Sequence, residues 1–343
     1  MSATASASDS PKPCPWNWRP AEACRLEQPL LWLRLEGADT RRFLHGQTSQ
    51  AVELAPPGSW LSTCCIGPTA RMKGLAELLL DQDGAWLVIT AGDGAAVRQA
   101  LDRVLFPADA VSLGPLRQGL LVRPLGPAAS SAATTAASST DTAPSSAGSG
   151  AVRRWQPGPE PESFWLGEAL LLLQESRSLP PALAQCRTLG AEEAERWRIQ
   201  QGQPRAPQEI NEETNPFELG LAARVSLNKG CYVGQETLAR LATYDGVKQQ
   251  LRRWFLAASD ASSLTSDQLA SGAELLEANG ERAGRISSAL RLEDGSWLGL
   301  ALVRRGCLDA PWLQLAAAPV PLWLSIPAES VPPPQGAGGK AAA

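Results

Sequence analysis

After Val247 the chain breaks into short apolar runs that leave no room for helices between them: residues 252–257, 273–277, 282–290, 297–303 and 312–324. Turn sequences separate them, among them Ala278-Asn279-Gly280 and Asp294-Gly295, and Asn-Gly and Asp-Gly pairs supply the positive φ angles that tight hairpins need. This spacing predicts a small antiparallel barrel or sandwich over residues 247–327.

Upstream the pattern is mixed. Residues 30–35, 60–66, 74–80 and 85–90 read as strands, the last two joined at Asp81-Gln82-Asp83-Gly84. Asp39 stands where an N-cap would open a short helix that ends at Gly46. A second helix, capped by Asp93, puts Val97, Leu101, Val104 and Leu105 on one face and stops before Pro107. Strands with packed helices predict an α+β region over residues 26–246. Residues 127–150 hold only Ala, Ser, Thr, Pro, Gly and one Asp, too little apolar area to offset the entropy of ordering. They are expected to be a disordered insertion, and because strand-like runs at 120–125 and 163–173 flank them, they interrupt one domain rather than separate two. Residues 1–25, despite Trp16 and Trp18, and the Pro/Gly/Ala-rich tail 328–343 are expected to be loose as well.

Composition excludes several functions. A length of 343 residues suits two domains, and a net charge of −4 gives no global support for binding nucleic acid by phosphate neutralisation. Seven cysteines without a C-x-x-C pair, and the single histidine His45, argue against a zinc site, so no intrinsic metal is expected. Neither a G-x-S-x-G elbow nor a P-loop occurs. The odd, scattered thiols suit a reducing compartment, and no apolar run reaches the roughly 18 residues of a membrane span. The expectation is a cytoplasmic protein without a membrane partner. Trp is abundant, 12 residues against Tyr 2 and Phe 5, yet forms no stripe that would stack bases.

The chemistry concentrates between residues 191 and 248. Residues 191–201 read as a helix with a Glu192/Arg196 pair at i,i+4, ending at Gly202 before Pro204. In Asn215-Pro216-Phe217-Glu218 the Asn caps, the proline fits the first helical position and Glu218 completes a capping box; ligand contact is the rarer role for these two polar residues. In Lys229-Gly230-Cys231-Tyr232-Val233-Gly234-Gln235-Glu236, Cys231 just precedes a helix over residues 235–241. A thiol near a helix N-terminus, two residues from Lys229, has its thiolate favoured by both positive potentials. The alternative is a small residue that merely packs the loop. Cys64 and Cys65 are adjacent in a strand, point to opposite faces and are read as structural. His45 at a helix end is either a packing residue or a proton shuttle.

The block K-G-C-Y-V-G-Q-E, followed by Ala239-Arg240, resembles the signature of the YgfZ-type folate-binding proteins, relatives of the glycine-cleavage T-protein (aminomethyltransferase). Arg198-Ile199-Gln200-Gln201-Gly202-Gln203-Pro204, Asn215-Pro216-Phe217-Glu218-Leu219-Gly220 and Phe43-Leu44-His45-Gly46-Gln47-Thr48 resemble further segments of that family in the same order. Gln200 and the tract 239–249 look most like its cyanobacterial and chloroplast branch.

The resemblance implies a discontinuous α+β folate-binding region followed by a C-terminal β-barrel, in agreement with the strand pattern. It implies tetrahydrofolate as ligand and a role in assembling or maintaining iron–sulfur clusters, with iron–sulfur client proteins as partners and effects on tRNA modification. Cys231, tuned by Lys229, would be the reactive group. Gln200, Arg198, Trp197, Glu218, Gly230, Tyr232, Gly234, Gln235, Glu236 and Arg240 would form the folate site. In aminomethyltransferases a Glu contacts the pteridine where this chain has Gln200, whose amide offers one acceptor and one donor group. Two other functions remain open: a true folate-dependent aminomethyl or methyl transferase, and a tRNA- or protein-binding module using the basic tract Arg240, Lys248, Arg252 and Arg253.

Overall fold

A computed structural model describes residues 15–127, 153–174 and 178–333. Two sheets carry it. The first is built on strands β1 (Cys24–Glu36), β2 (Trp60–Ile66), β3 (Met72–Leu80), β4 (Gly84–Gly92), β5 (Ser112–Leu113), β6 (Arg117–Leu125), β7 (Gln156–Pro157), β8 (Ser163–Leu166), β9 (Ala169–Leu172) and β10 (Arg187–Thr188). Its order is β2-β3-β4-β1-β6-β9-β8-β7, with β5 and β10 also on β1, and every pairing is antiparallel except β1 with β10. The second is a closed barrel, β11 (Gln249–Leu256), β14 (Trp297–Arg304), β13 (Arg282–Arg291), β12 (Glu274–Leu276), β15 (Trp312–Leu315) and β16 (Pro321–Ser325) in that order. The expected α+β region and C-terminal antiparallel barrel are both present.

Alternation along β1 decides which face is covered. Leu33 and Leu35 join Phe43 and Leu44 of helix α1 (Thr40–Gln47) and Val97 and Leu101 of helix α2 (Gly94–Asp102) in one core. Leu30 and Trp32 project from the other face against Phe164, Leu166 and Leu171. Each such fully buried leucine contributes roughly 1.5–3 kcal/mol. Helix α3 (Ala191–Gln201) ends as anticipated, on Gly202 at φ 69, and helix α4 (Gln235–Thr243) begins after Gly234 at φ 80. A side chain at Gly234 would come within 2.7 Å of the Gly67 carbonyl oxygen.

Several local expectations are corrected. The run 163–173 is two strands, because Gly167 at φ 61 turns it back on itself, and 312–324 is likewise a hairpin, β15 paired with β16. Asp93 caps α2 through Ala96 N at 3.0 Å, but Asp39 makes no cap bond and instead accepts from Ala110 N at 3.0 Å. Residues 215–218 form the capping hydrogen bonds without a helix: the Asn215 carboxamide oxygen accepts from Phe217 N and Glu218 N, and Glu218 accepts from Asn215 N at 3.1 Å. On α3 the ion pairs are Glu195 with Arg198 and Glu193 with Arg187 rather than Glu192 with Arg196.

Order also starts sooner than residue 26. Trp16 packs on the main core and Trp18 against Cys24, Leu125 and Trp197, because arginines lie over three of the rings: Arg253 over Trp16, Arg196 over Trp18 and Arg19 over Trp197. At the other end Val331 bridges Leu221. Residues 1–14, 128–150 and 334–343, the remainder of the segments expected to be loose, lie outside the described residues.

Candidate functional site

A cleft of about 1390 Å³ lies between the first sheet and α3. Its floor is set by strand alternation: Trp60 and Ser62 of β2, Leu75 and Glu77 of β3, Leu26 and Gln28 of β1, Leu121 and Arg123 of β6. Its roof is helical, with Ala191, Ala194, Glu195, Arg198 and Gln201 on one stripe of α3 at i, i+3, i+4 spacing. Residues 219–228 and 327–330 close the sides. The volume exceeds the roughly 300–1,000 Å³ of common small-molecule sites and accommodates an elongated ligand.

One end of the floor is strongly polar. Glu77 is buried; its Oε2 accepts from Trp60 Nε1 at 2.7 Å and Ser62 Oγ at 2.6 Å, and its Oε1 lies 3.0 Å from Arg224 Nη1. Arg153 stacks 3.9 Å over the Trp60 ring and hydrogen-bonds Ser62. Burial lowers the Arg153 pKa, an effect that Glu77 opposes. These residues were not anticipated. The signal was available, since Glu77 is the lone acid in the apolar strand Met72–Leu80.

The octapeptide lies beside this cleft rather than in it. The cleft wall runs along the chain as far as Asn228, whereas Cys231 is an exposed free thiol. Lys229 Nζ donates to the carbonyls of His45, of Thr48 at 2.6 Å and of Gln50 at 2.8 Å, and lies 4.2 Å above the Tyr232 ring. Burial pushes the Lys229 pKa down to about 7. Three carbonyls and the negative end of the α1 dipole work against that push. With three donors placed on three carbonyls, the ammonium acts first as a clamp on the loop. Gln235 completes the loop, its side-chain oxygen accepting from Tyr232 N at 3.3 Å and its nitrogen donating to Lys229 O at 3.2 Å, while Val233 N donates to Gly46 O.

Gly230 packs by His45, whose Nε2 is 3.8 Å from where a Cβ would stand, so the only imidazole of the chain faces the residue next to Cys231. His45 Nδ1 accepts from Val52 N at 3.3 Å and Glu53 N at 3.1 Å. Tyr232 is buried in the main core, and its hydroxyl has no partner among the described residues. Glu236 and Arg240 pair at 3.2 Å on the exposed side of α4.

Of the residues expected to touch folate, Trp197 and Arg198 line the cleft. Gln200 does not. It sits opposite the cleft stripe of α3, 1% exposed, with its Nε2 donating to Trp18 O at 3.1 Å and its Oε1 unpartnered among the described residues. The expectation that its amide faces a pteridine therefore does not fit this geometry, because α3 turns residue 200 roughly 100–160° away from residues 194, 198 and 201. Arg198 is on the wall but engaged, by Glu195 at 2.9 Å, Gln203 O at 2.6 Å and Ser288 Oγ at 2.8 Å. Glu218 is outside the cleft wall, and burial raises its pKa. The basic tract is split: Arg240 and Lys248 are exposed, the other two are not. Arg252 and Arg253 are buried, and Arg253 is tied to Gln200 O and Ile326 O at 2.7 Å each.

No family model matches the chain. A putative chloroplastic transferase of Arabidopsis thaliana is 28% identical over 286 residues, 80% of this chain and 63% of that protein. The tRNA-modifying protein YgfZ of Vibrio atlanticus is 32% identical over 168 residues, 46% of this chain and 49% of that protein. The chain thus spans about half to just under two thirds of the length of these relatives. Among solved structures, the glycine cleavage system aminomethyltransferase T from Bartonella henselae superposes with a TM-score of 0.66 at 18% identity, over 91% of this chain and 88% of that one. The chain therefore has the aminomethyltransferase fold and is similar in sequence to proteins named YgfZ, as the octapeptide implied.

Proposed function

We propose that this protein binds a reduced folate in the cleft between its first sheet and α3, and presents Cys231 to a partner in iron–sulfur metabolism that supports tRNA modification. The observation that carries the reading is the separation of the two features: a large, half-open, part-apolar cleft, and an exposed sulfur three residues beyond its wall. The cleft fits the ligand. Leu26, Leu75, Ala91 and Leu121 offer apolar floor for flat rings, and charged residues stand at both ends. The folate would supply a reduced pteridine and an anionic tail, while the chain's residues shape the cleft around it.

Cys231 in this reading meets a macromolecular partner, either attacking the S–S bond of a partner's disulfide or persulfide and releasing the partner's thiolate, or lending one ligand to a cluster, since a single thiolate cannot hold a cluster alone. Lys229, Gly230, Gly234 and Gln235 position its loop, and Glu236 and Arg240 flank it. The names of the relatives support the tRNA context, and the plant relative's name places that protein in the chloroplast. No described helix is long and apolar enough to cross a membrane.

Transferase chemistry is less favoured by the cleft, because the acids of its sheet and α3 walls, Glu27, Glu77 and Glu195, are each held by an arginine, and Glu329, the remaining acid of the lining, is exposed at its side. The test is complementation of cells lacking their own such protein. Cys231→Ala is expected to leave expression unchanged and to lower the activity of a cluster-dependent tRNA-thiolating enzyme. Full activity in that variant rejects the role of the sulfur, and no heat on titration with 5-formyltetrahydrofolate rejects the role of the cleft.

A further inference from the structure

Five arginines line the cleft, and four are engaged. Arg198 and Arg205 share Glu195, Arg224 holds Glu77, and Arg153 lies between Trp60, Ser62 and Glu77. Arg123 is the exception: among the described residues it has no ion pair, hydrogen bond or ring contact, although it is half-buried in the wall. The guanidinium is not sealed in the wall, so its fork of donors stays open to the cleft, where a carboxylate or phosphate can take two parallel charge-assisted hydrogen bonds from it. Glu27, the acid on the neighbouring strand, does not compete, since Arg25 holds it at 2.6 Å.

Position adds direction. Arg123 is opposite Leu26 on β1, while the polar cluster of Trp60, Ser62 and Glu77 belongs to β2 and β3. From β6 to β2 the sheet order runs through β1, β4 and β3, four steps of about 4.8 Å, or roughly 19 Å in all. That span suits a ligand with a flat ring at one end and an anionic group at the other.

Resting on the folate reading above, we propose that Arg123 anchors the glutamate carboxylates of the folate tail. The cleft then selects tail-bearing folates over bare reduced pterins. Arg198, the other arginine expected at the folate site, cannot take this task, because its donors are already spent. Anchoring at Arg123 also leaves the floor around Leu75 and Ala91 to the rings.

The test is calorimetric titration of the full chain and its Arg123→Met and Arg123→Lys variants with 5-formyltetrahydrofolate, its triglutamate form and tail-less 6-methyltetrahydropterin. The wild type is expected to bind the tailed ligands at least about tenfold more tightly than the bare pterin, by an advantage that fades with added salt. Arg123→Met is expected to lose that advantage without change in melting temperature or pterin affinity, and Arg123→Lys to keep part of it. If the wild type binds both kinds of ligand equally, or Arg123→Met keeps the preference, the assignment is overturned while the folate reading stands. If millimolar inorganic phosphate competes with the tailed ligands and glutamate does not, the anion site is for phosphate and the assignment also fails. If neither pterin nor folate binds, the folate reading itself fails.

Discussion

Lys229 places its ammonium 2.6 Å from the carbonyl oxygen of Thr48, the residue on which α1 ends. With the carbonyls of His45 and Gln50 it closes the last turn of that helix, satisfying acceptors that no helical N–H can reach. The signature loop is thereby fastened to the sheet domain from within.

Removing the clamp while keeping the apolar stem should free the loop. Lys229→Met is expected to cost about 2 kcal/mol, the scale of lost charge-assisted hydrogen bonds to carbonyls that stay half-buried. Urea unfolding measures it; a loss under 0.5 kcal/mol would mean the carbonyls turn to water instead.

His45 titrates alone, since the chain holds one histidine. Burial, then the charge of Lys229, lowers its pKa below 6.5. A depressed pKa means that the unfolded chain binds the proton more readily, so the contribution of His45 to stability is present above pH 6.5 and declines as pH falls through its folded pKa. Proton NMR should show one imidazole titrating below 6.5, with the proton on Nε2 because Nδ1 accepts from two backbone amides. A midpoint at or above 6.5 contradicts this.

Thiol reactivity should follow exposure. Cys64 and Cys65 are sealed in β2, with burial pushing both pKa values up to about 12, and Cys307 to about 11. Cys231 is exposed. Brief iodoacetamide treatment followed by peptide mass spectrometry is expected to modify Cys231 well before Cys64, Cys65 or Cys24. Comparable labelling of Cys64 in the folded protein would contradict the packing.

Gln200 offers the clearest test of orientation. Gln200→Ala is expected to cost about 1–2 kcal/mol, through the lost bond to Trp18 O, without changing affinity for 5-formyltetrahydrofolate. Gln200→Glu sets a buried carboxylate against that carbonyl and should cost about 3 kcal/mol or more. A large loss of ligand affinity in Gln200→Ala would place the side chain in the cleft after all.

Much of the architecture was legible in the letters. Turn dipeptides and period-two alternation marked the barrel, and β2, α3 and the start of α4 fall where the pattern put them, because each is specified by residues within one turn or one strand. Runs broken by a single Gly167, or by the turn after Leu315, were read too long, since local apolarity does not say where a strand reverses. The exposed Cys231 beside a helix start was likewise a local matter.

Which side chains share the cleft was not. Arg123 and Arg198 are both arginines of the cleft wall, and only the pairing of β6 with β1 and the packing of α3 leave one without a partner among the described residues and spend the other. Gln200 faces away because the N-terminal segment of Trp16 and Trp18, which by composition had little reason to fold, is held there by arginines from α3 and β11. Sequence determined the elements and the signature loop through short-range preferences; tertiary structure decided the partners, because a charge is neutralised by whatever the fold brings within a few ångströms of it.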